Sequence, residues 1–231
     1  MASFEVADFG VEIDHVFVSV SVGAPEAQRL IDLGLVEGSS NRHPGQGTAN
    51  RRFFFANAML ELIWVENEAE ARSEDEPARR LHLWERWSGR GTGACPFGVC
   101  LRPREGQFDV APFPAWEYRP VYAPAGMPIA NNSTVDAEPL VFYIPLHRRM
   151  DTAPADQRQP YVHALPIREL TSLRMFAPGA ATPSAAMLDA LRNCAFSFEP
   201  AARPLLELGF DGERRGQRAD LRPELPLVLL W

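Results

Sequence analysis

The sequence contains no lysine, because all 23 of its cationic side chains are arginine. Covalent catalysis through a lysine Schiff base is therefore excluded. The sequence is also poor in cysteine: its three cysteines, Cys95, Cys100 and Cys194, include no CxxC pair. An odd number of cysteines without that motif does not predict a disulfide framework, and buried free thiols are the simpler interpretation.

Long apolar runs and an excess of positive charge are missing as well. No stretch approaches the ~18 apolar residues of a membrane span. No early segment has the basic start, apolar run and small-residue cleavage site of a secretory signal, so we expect a cytoplasmic protein without a membrane partner. The formal charge is -7 and no basic cluster stands out, which excludes nucleic acid as an expected partner.

The sequence has enough apolar residues for a substantial core, since 46% of its 231 residues are hydrophobic. Residues 13–20 alternate in character, with Val16, Val18 and Val20 on one face of a predicted strand and His15 and Phe17 on the other. An amphipathic helix after Pro25 and two strands, Arg52 to Ala56 and Met59 to Val65, are predicted to follow. The order is one strand, one helix, then a hairpin.

A related pattern returns near the C-terminus, which indicates duplication of one unit. Leu170 to Ala177 is predicted to be a strand, and a helix is predicted to begin after Pro183. Leu60-Glu61-Leu62-Ile63-Trp64 closes the first unit, and Leu227-Val228-Leu229-Leu230-Trp231 closes the last. We therefore divide the chain into a first βαβββ module (1–65), an acidic and glycine-rich connection (66–94), a second, helix-poor module (95–165) and a C-terminal βαβββ module (166–231).

Three segments together resemble glyoxalase-like proteins of the vicinal oxygen chelate superfamily. They are Asp14-His15-Val16, the loop from His43 to Arg52 and Leu60-Glu61-Leu62. The resemblance implies an α+β fold in which repeated βαβββ modules form an incomplete barrel, here with an additional C-terminal module. In that family the concave face of the barrel holds a metal or ligand site.

The alternation of β-strand side chains places His15 and Glu61 on the same side of the predicted sheet, facing one cavity. The resemblance implies that both are ligands of one divalent metal, such as iron, manganese, nickel or zinc. Such a site needs three or four protein ligands, and Ser172 and Val228 stand at the corresponding places of the C-terminal module. Two alternatives therefore stay open. Glu61 is a metal-free general base held by a hydrogen bond from His15, or the pair is structural.

The cavity has further candidate residues in the same segments. The loop from His43 to Arg52 has two interpretations that stay open: it forms the rim of the cavity, where His43 or Arg52 holds an anionic group of a ligand, or it is a rigid turn. The candidates for its apolar lining are Phe17, Phe54, Met59 and Trp116.

These residues favour a glyoxalase-like enzyme of the lyase, isomerase or dioxygenase type that acts on a small oxygenated metabolite. His15 and Glu61 are its candidate catalytic residues. The alternative is a metal-free protein that binds and sequesters a drug-like compound. The apolar C-terminus must be buried in its own sheet or against a second subunit, which favours a homodimer.

Overall fold

The computed structural model describes residues 10–74, 77–104, 110–124, 127–132, 135–146, 149–178, 182–193 and 196–231. The strands within these residues are β1 (Val11–Ser19), β2 (Asn41–His43), β3 (Thr48–Phe54), β4 (Met59–Val65), β5 (Phe97–Pro103), β6 (Trp116–Tyr118), β7 (Ile129–Asn131), β8 (Leu140–Tyr143), β9 (Leu170–Ala177), β10 (Ser197–Pro200), β11 (Leu205–Phe210), β12 (Arg218–Asp220) and β13 (Leu227–Leu230). The α-helices are α1 (Ala27–Asp32), α2 (Glu68–Ala71), α3 (Leu83–Ser88) and α4 (Ala185–Asn193). Cys95 and Cys100 are buried free thiols, and Cys194 lies outside the described residues.

The first eight strands form one curled sheet in the order β2-β3-β4-β1-β5-β8-β7-β6. Strand β1 pairs in parallel with β4, and β5 pairs in parallel with β8. The two halves meet where β1 runs antiparallel to β5. The sheet is therefore built from two repeats of one unit, which confirms the predicted α+β fold with repeated βαβββ modules.

The last five strands form a second sheet in the order β10-β9-β11-β13-β12. Here β13, which carries the repeated leucines, pairs in parallel with β11, just as β4 pairs with β1. Strand β9 lies on the far side of β11. In a direct copy of the first module, β9, which contains Ser172, would pair with β13. Instead, β11 lies between these two strands.

The two faces of the first sheet have different roles. Val16 and Val18 of β1 lie with Leu60 and Leu62 of β4 in a core that also contains Leu30 of α1. This core continues into the apolar side chains of β9, β11 and β13. The opposite face carries a separate apolar cluster that includes Phe17 and Ile63. The predicted alternation of β1 is confirmed, and the second face remains available for a site.

The C-terminal tryptophan is buried within the chain itself. Trp231 is 9% exposed, and its backbone N–H and C=O both bond to Gln217. Burial of this end of the chain consequently requires no second subunit. Among the described residues, no helix is long and apolar enough to cross a membrane.

Gly98 of β5 lies directly against the ring of Phe17. A Cβ atom at this position would stand 2.2 Å from Phe17 Cε1. We therefore expect Gly98→Ala to displace the ring and to lower the free energy of unfolding by about 1–3 kcal/mol. A Cβ at Gly91 would meet no atom within 4 Å, so Gly91→Ala is the matched control and should not lower the midpoint of urea unfolding. Equal midpoints of urea unfolding for Gly98→Ala and Gly91→Ala would show that Phe17 is not held against β5.

Candidate functional site

A cavity of about 350 Å³ lies on the concave face of the eight-stranded sheet. Strands β1 and β4 form its floor through His15, Phe17 and Glu61, and the first hairpin adds His43. The second module closes the opposite side with Phe142 and other apolar residues. The structure thus brings His15 and Glu61 into one cavity.

Glu61 lies in the wall of this cavity and is 6% exposed. Its Oε1 accepts a hydrogen bond from the Nδ2 of Asn50, which lies on the adjacent strand β3. The Oδ1 of Asn50 accepts from the backbone N–H of Asn41 at 2.7 Å, and this contact fixes which end of the amide faces Glu61. Glu61 is therefore held as a hydrogen-bond acceptor by an amide of defined orientation.

Two imidazoles face the carboxylate of Glu61 from different strands. His15 Nε2 lies 3.9 Å from Glu61 Oε2, and His43 Nε2 lies 4.0 Å from Glu61 Oε1. The predicted loop from His43 to Arg52 is wrong in this respect, because β2 and β3 form a hairpin here and its register brings His43 inward. The predicted hydrogen bond from His15 to Glu61 is replaced by the one from Asn50.

His15 is anchored on the side away from Glu61. Its Nδ1 lies 2.6 Å from Asp14 Oδ1, so the ring donates to this carboxylate. Asp14 Oδ2 in turn accepts from Arg102 at 2.8 Å, and Arg102 also donates to Glu12 at 2.9 Å. This network fixes the ring plane and leaves Nε2 as the atom that faces the cavity.

The two imidazoles differ in their affinity for a proton. Burial opposes the charged form of His15, but its hydrogen bond to Asp14 and the charges of Asp14 and Glu61 together raise its pKa. Burial lowers the pKa of His43, and the charge of Arg52 adds to this effect although Glu61 opposes it. The cavity thus contains one imidazole with a raised pKa and one with a lowered pKa, which suits acid–base chemistry.

These shifts predict opposite pH dependences of stability. The contribution of His15 is complete below its ordinary pKa of 6.5 and is lost as the pH rises through the raised folded value. The contribution of His43 is complete above 6.5 and is lost as the pH falls through its lowered folded value. Urea unfolding of His15→Asn and His43→Asn between about pH 5 and about pH 9 checks this. The stability gap to the wild type should shrink at high pH for His15→Asn and at low pH for His43→Asn; gaps that change in the same direction would contradict it.

The other predicted site residues are divided among three places. Phe17, Met59 and Arg52 line the cavity with His15 and Glu61. Phe54 lines an adjoining cavity of about 290 Å³, which shares Arg52 and Met59 with the first. Trp116 faces a separate depression and packs under the guanidinium of Arg80, so it lies outside the lining of the cavity with Glu61.

Asp14 and Asn50 are members of the site that the sequence pattern did not indicate. Asp14 was visible only as the residue preceding His15, and its partner Arg102 is 88 positions away. Asparagine in a loop can bond local backbone groups, and this is the role that the sequence indicates for Asn50. It does so through Oδ1, but its Nδ2 points at Glu61, which requires the pairing of β3 with β4.

The distances among His15, His43 and Glu61 bear on whether these groups could share a metal ion. Ligands bound to one tetrahedral metal at 2.0–2.2 Å lie about 3.3–3.5 Å apart, whereas each imidazole Nε2 is 3.9 or 4.0 Å from the carboxylate of Glu61. In the second module, β8 faces the cavity with Phe142, which cannot bind metal. In this arrangement the two imidazoles therefore lie farther from Glu61 than two ligands of one metal ion lie from each other.

A second set of potential ligands lies beside His15. Within the described part of the chain, ligand atoms of Asp14, His15 and Cys100 all lie within 4.8 Å of one another. Both oxygens of Asp14 are already occupied, one by His15 and one by Arg102. Burial raises the pKa of the Cys100 thiol well above its usual value, which opposes the thiolate form that binds metal. This set is better explained as the support of His15.

Comparison with known proteins identifies the family. A family model described as a glyoxalase-like domain matches residues 13–187. No curated protein matches the sequence. The matched segment contains both repeats of the eight-stranded sheet and the cavity on its concave face.

A solved structure with a TM-score above 0.5 shows the same fold, and two others are similar at lower TM-scores. A hypothetical protein from Staphylococcus aureus superimposes with a TM-score of 0.52 at 10% sequence identity, covering 95% of this chain and 97% of that protein. A hypothetical protein from Bacillus halodurans gives a TM-score of 0.38 at 16% identity, covering 60% of this chain and 96% of that protein. A fusion protein of a xylose isomerase-like TIM barrel and 4-hydroxyphenylpyruvate dioxygenase gives 0.45 at 10% identity, covering 88% of this chain and 37% of that protein. Because the family model matches more than half of this chain, the chain belongs to the glyoxalase-like domain family of the vicinal oxygen chelate superfamily.

Proposed function

We propose that this protein is a metal-independent enzyme, of the isomerase or lyase type, that removes a proton from a small oxygenated compound. The observation that carries the proposal is the position of Glu61. Its buried carboxylate lies in a cavity wall between the Nε2 atoms of His15 and His43, at 3.9 and 4.0 Å. A positioned carboxylate next to hydrogen-bond donors is the arrangement required for general acid–base catalysis.

Each group has a defined part in such a reaction. Glu61 Oε2 accepts the proton of a carbon–hydrogen bond next to a carbonyl group, and the electron pair of that bond moves onto the carbonyl oxygen. The imidazolium of His15 donates a hydrogen bond through Nε2 to the resulting enolate oxygen and stabilises its charge. Return of the proton to a different atom completes an isomerisation, and loss of a leaving group from the neighbouring carbon completes an elimination.

The lining of the cavity indicates the class of substrate. A volume of about 350 Å³ is at the small end of ligand sites, which span about 300–1,000 Å³. Phe17 and Phe142 give it an apolar surface, and their ring centroids are 6.3 Å apart. Arg52 lines both this cavity and the adjoining one. We therefore propose a small 2-oxo or 2-hydroxy compound with an anionic group directed at Arg52.

Elemental analysis separates this proposal from a metal-dependent one. The purified protein, before and after treatment with a chelator, should contain no stoichiometric iron, manganese, nickel or zinc, because the two imidazoles lie farther from Glu61 than two ligands of one metal ion lie from each other. The matched control is the double variant His15→Ala, Glu61→Ala, which should have the same metal content. Near-stoichiometric metal that disappears in the double variant would contradict metal independence and support a chelating enzyme such as a dioxygenase.

A ligand-binding protein without catalysis is the second candidate. The apolar side chains of the second module favour it, since Phe142 and Ile144 face the cavity where a chelating enzyme would need further ligands. A sequestering pocket, however, has no need for a buried carboxylate, which is costly to desolvate. A compound that binds the wild type and Glu61→Gln equally and is recovered unchanged would support the binding protein.

A further inference from the structure

A row of polar side chains leads to Nδ1 of His43, the ring nitrogen that does not face Glu61. The hydroxyl of Tyr122 donates to Gln46 Oε1 at 2.8 Å, and Gln46 Nε2 donates to Thr48 Oγ1 at 2.8 Å. Thr48 Oγ1 then lies 2.9 Å from His43 Nδ1. His43, Gln46 and Thr48 are buried, and the ring of Tyr122 packs on that of His43 with centroids 4.8 Å apart.

The hydrogen bonds of Thr48 indicate which ring nitrogen of His43 carries the hydrogen. Thr48 Oγ1 accepts from Gln46, and its own hydrogen is available for the neighbouring His43 Nδ1. A ring nitrogen that accepts a hydrogen bond carries no hydrogen itself. A neutral imidazole in this arrangement therefore carries its hydrogen on Nε2.

The contact of the second ring nitrogen of His43, Nε2, indicates the same tautomer independently. His43 Nε2 faces Glu61 Oε1 at 4.0 Å, and an ionised carboxylate can only accept hydrogen bonds. An N–H directed at this oxygen is attracted, whereas a nitrogen lone pair would be repelled. Burial also lowers the pKa of His43, which favours the neutral ring to which the tautomer argument applies.

We propose that Tyr122, Gln46 and Thr48 are positioning residues that hold His43 as its Nε2–H tautomer. His43 then presents a hydrogen-bond donor to a carbonyl or enolate oxygen of the substrate beside Glu61. His15 is oriented in the opposite sense, because Asp14 accepts its Nδ1 hydrogen. The role toward substrate rests on the proposed function, but the tautomer of His43 does not depend on it.

Nitrogen NMR of the ligand-free protein, labelled with ¹⁵N-histidine, tests this directly. A protonated and an unprotonated ring nitrogen resonate far apart, and the His43 signals are assigned by comparison with His43→Asn. We expect hydrogen on Nε2 and none on Nδ1 in the wild type and in Thr48→Ser, which keeps the hydroxyl. Thr48→Val keeps the shape of the side chain without the donor. It should shift the tautomer ratio toward Nδ1–H by about fivefold, the ratio that one ordinary hydrogen bond represents.

Three outcomes would overturn the proposal: hydrogen on Nδ1 of His43 in the wild type, hydrogen on both ring nitrogens, or a Thr48→Val spectrum identical to that of the wild type. If Thr48→Val does not fold, Tyr122→Phe interrupts the row at its far end and should shift the ratio in the same direction. Because no substrate is present, the result is independent of turnover. If the wild type has the Nε2–H tautomer of His43 but no turnover, the proposed function is contradicted, whereas the tautomer inference is supported.

Discussion

Replacing Glu61 with glutamine is expected to reduce turnover of any substrate by a factor of about 10²–10⁴, the usual contribution of a general base. The amide has nearly the shape of the carboxylate, and its oxygen can still accept the hydrogen bond from Asn50. The fold should therefore be retained, with a change in the free energy of unfolding of no more than about 1 kcal/mol. Steady-state kinetics together with urea unfolding checks both statements.

The matched control for this variant is Glu199→Gln, which makes the same chemical change at an exposed position of β10. It should leave turnover and stability unchanged. Full activity of Glu61→Gln would remove Glu61 from the reaction. Failure of Glu61→Gln to fold would instead make the carboxylate a structural group that supports the hairpin.

Replacing Arg102 with methionine is expected to lower the free energy of unfolding by about 3–5 kcal/mol, the usual cost of removing one partner from a buried ion pair. Arg102 is 2% exposed and donates to Glu12, to Asp14 and to the backbone carbonyl of Asn57. Methionine fills similar space but leaves two carboxylates without their shared cation. The midpoint of urea unfolding, with the slope of the transition, measures the loss.

An exposed arginine supplies the comparison. Arg119 pairs with Glu117 at 2.5 Å, and both side chains are more than half exposed. Arg119→Met should cost no more than about 1 kcal/mol, because water screens such pairs. A similarly small loss for Arg102→Met would show that the network of Glu12, Asp14 and Arg102 contributes little to the stability of the fold. It would also contradict the proposed anchoring of His15 by this network.

The sequence predicted the fold of the first module because its signals are local. Alternation along residues 13–20 separates Val16 and Val18 from His15 and Phe17, and strand geometry alone converts that spacing into two faces. The alternation of side chains along a strand likewise predicted that Glu61 faces the cavity. The predicted bounds of β4 and β9 agree with the structure for the same reason, since both strands are continuous apolar or alternating runs.

The rest of the site depends on pairings between distant residues, which one sequence does not show. His43 faces Glu61 only because β2 pairs with β3 and β3 pairs with β4 in a particular register. The position of β11 between β9 and β13 likewise depends on tertiary pairing. As a result, β13 pairs in parallel with β11, whereas a direct copy of the first module would pair it with β9. Asn50 and Asp14 have ordinary local roles in the sequence and acquire partners in the site through the fold alone.

The most direct test of the central claim is hydrogen–deuterium exchange on carbon, followed by ¹H NMR in D₂O with the chelator-treated protein and a panel of small 2-oxo and 2-hydroxy acids. We expect that, with the wild type and without added metal, at least one compound exchanges for deuterium the proton on the carbon next to its carbonyl or carboxyl group. The account also predicts that this exchange disappears in Glu61→Gln and persists in Glu199→Gln. Exchange that requires an added divalent metal, that is unchanged in Glu61→Gln, or that occurs with no compound of the panel would contradict it.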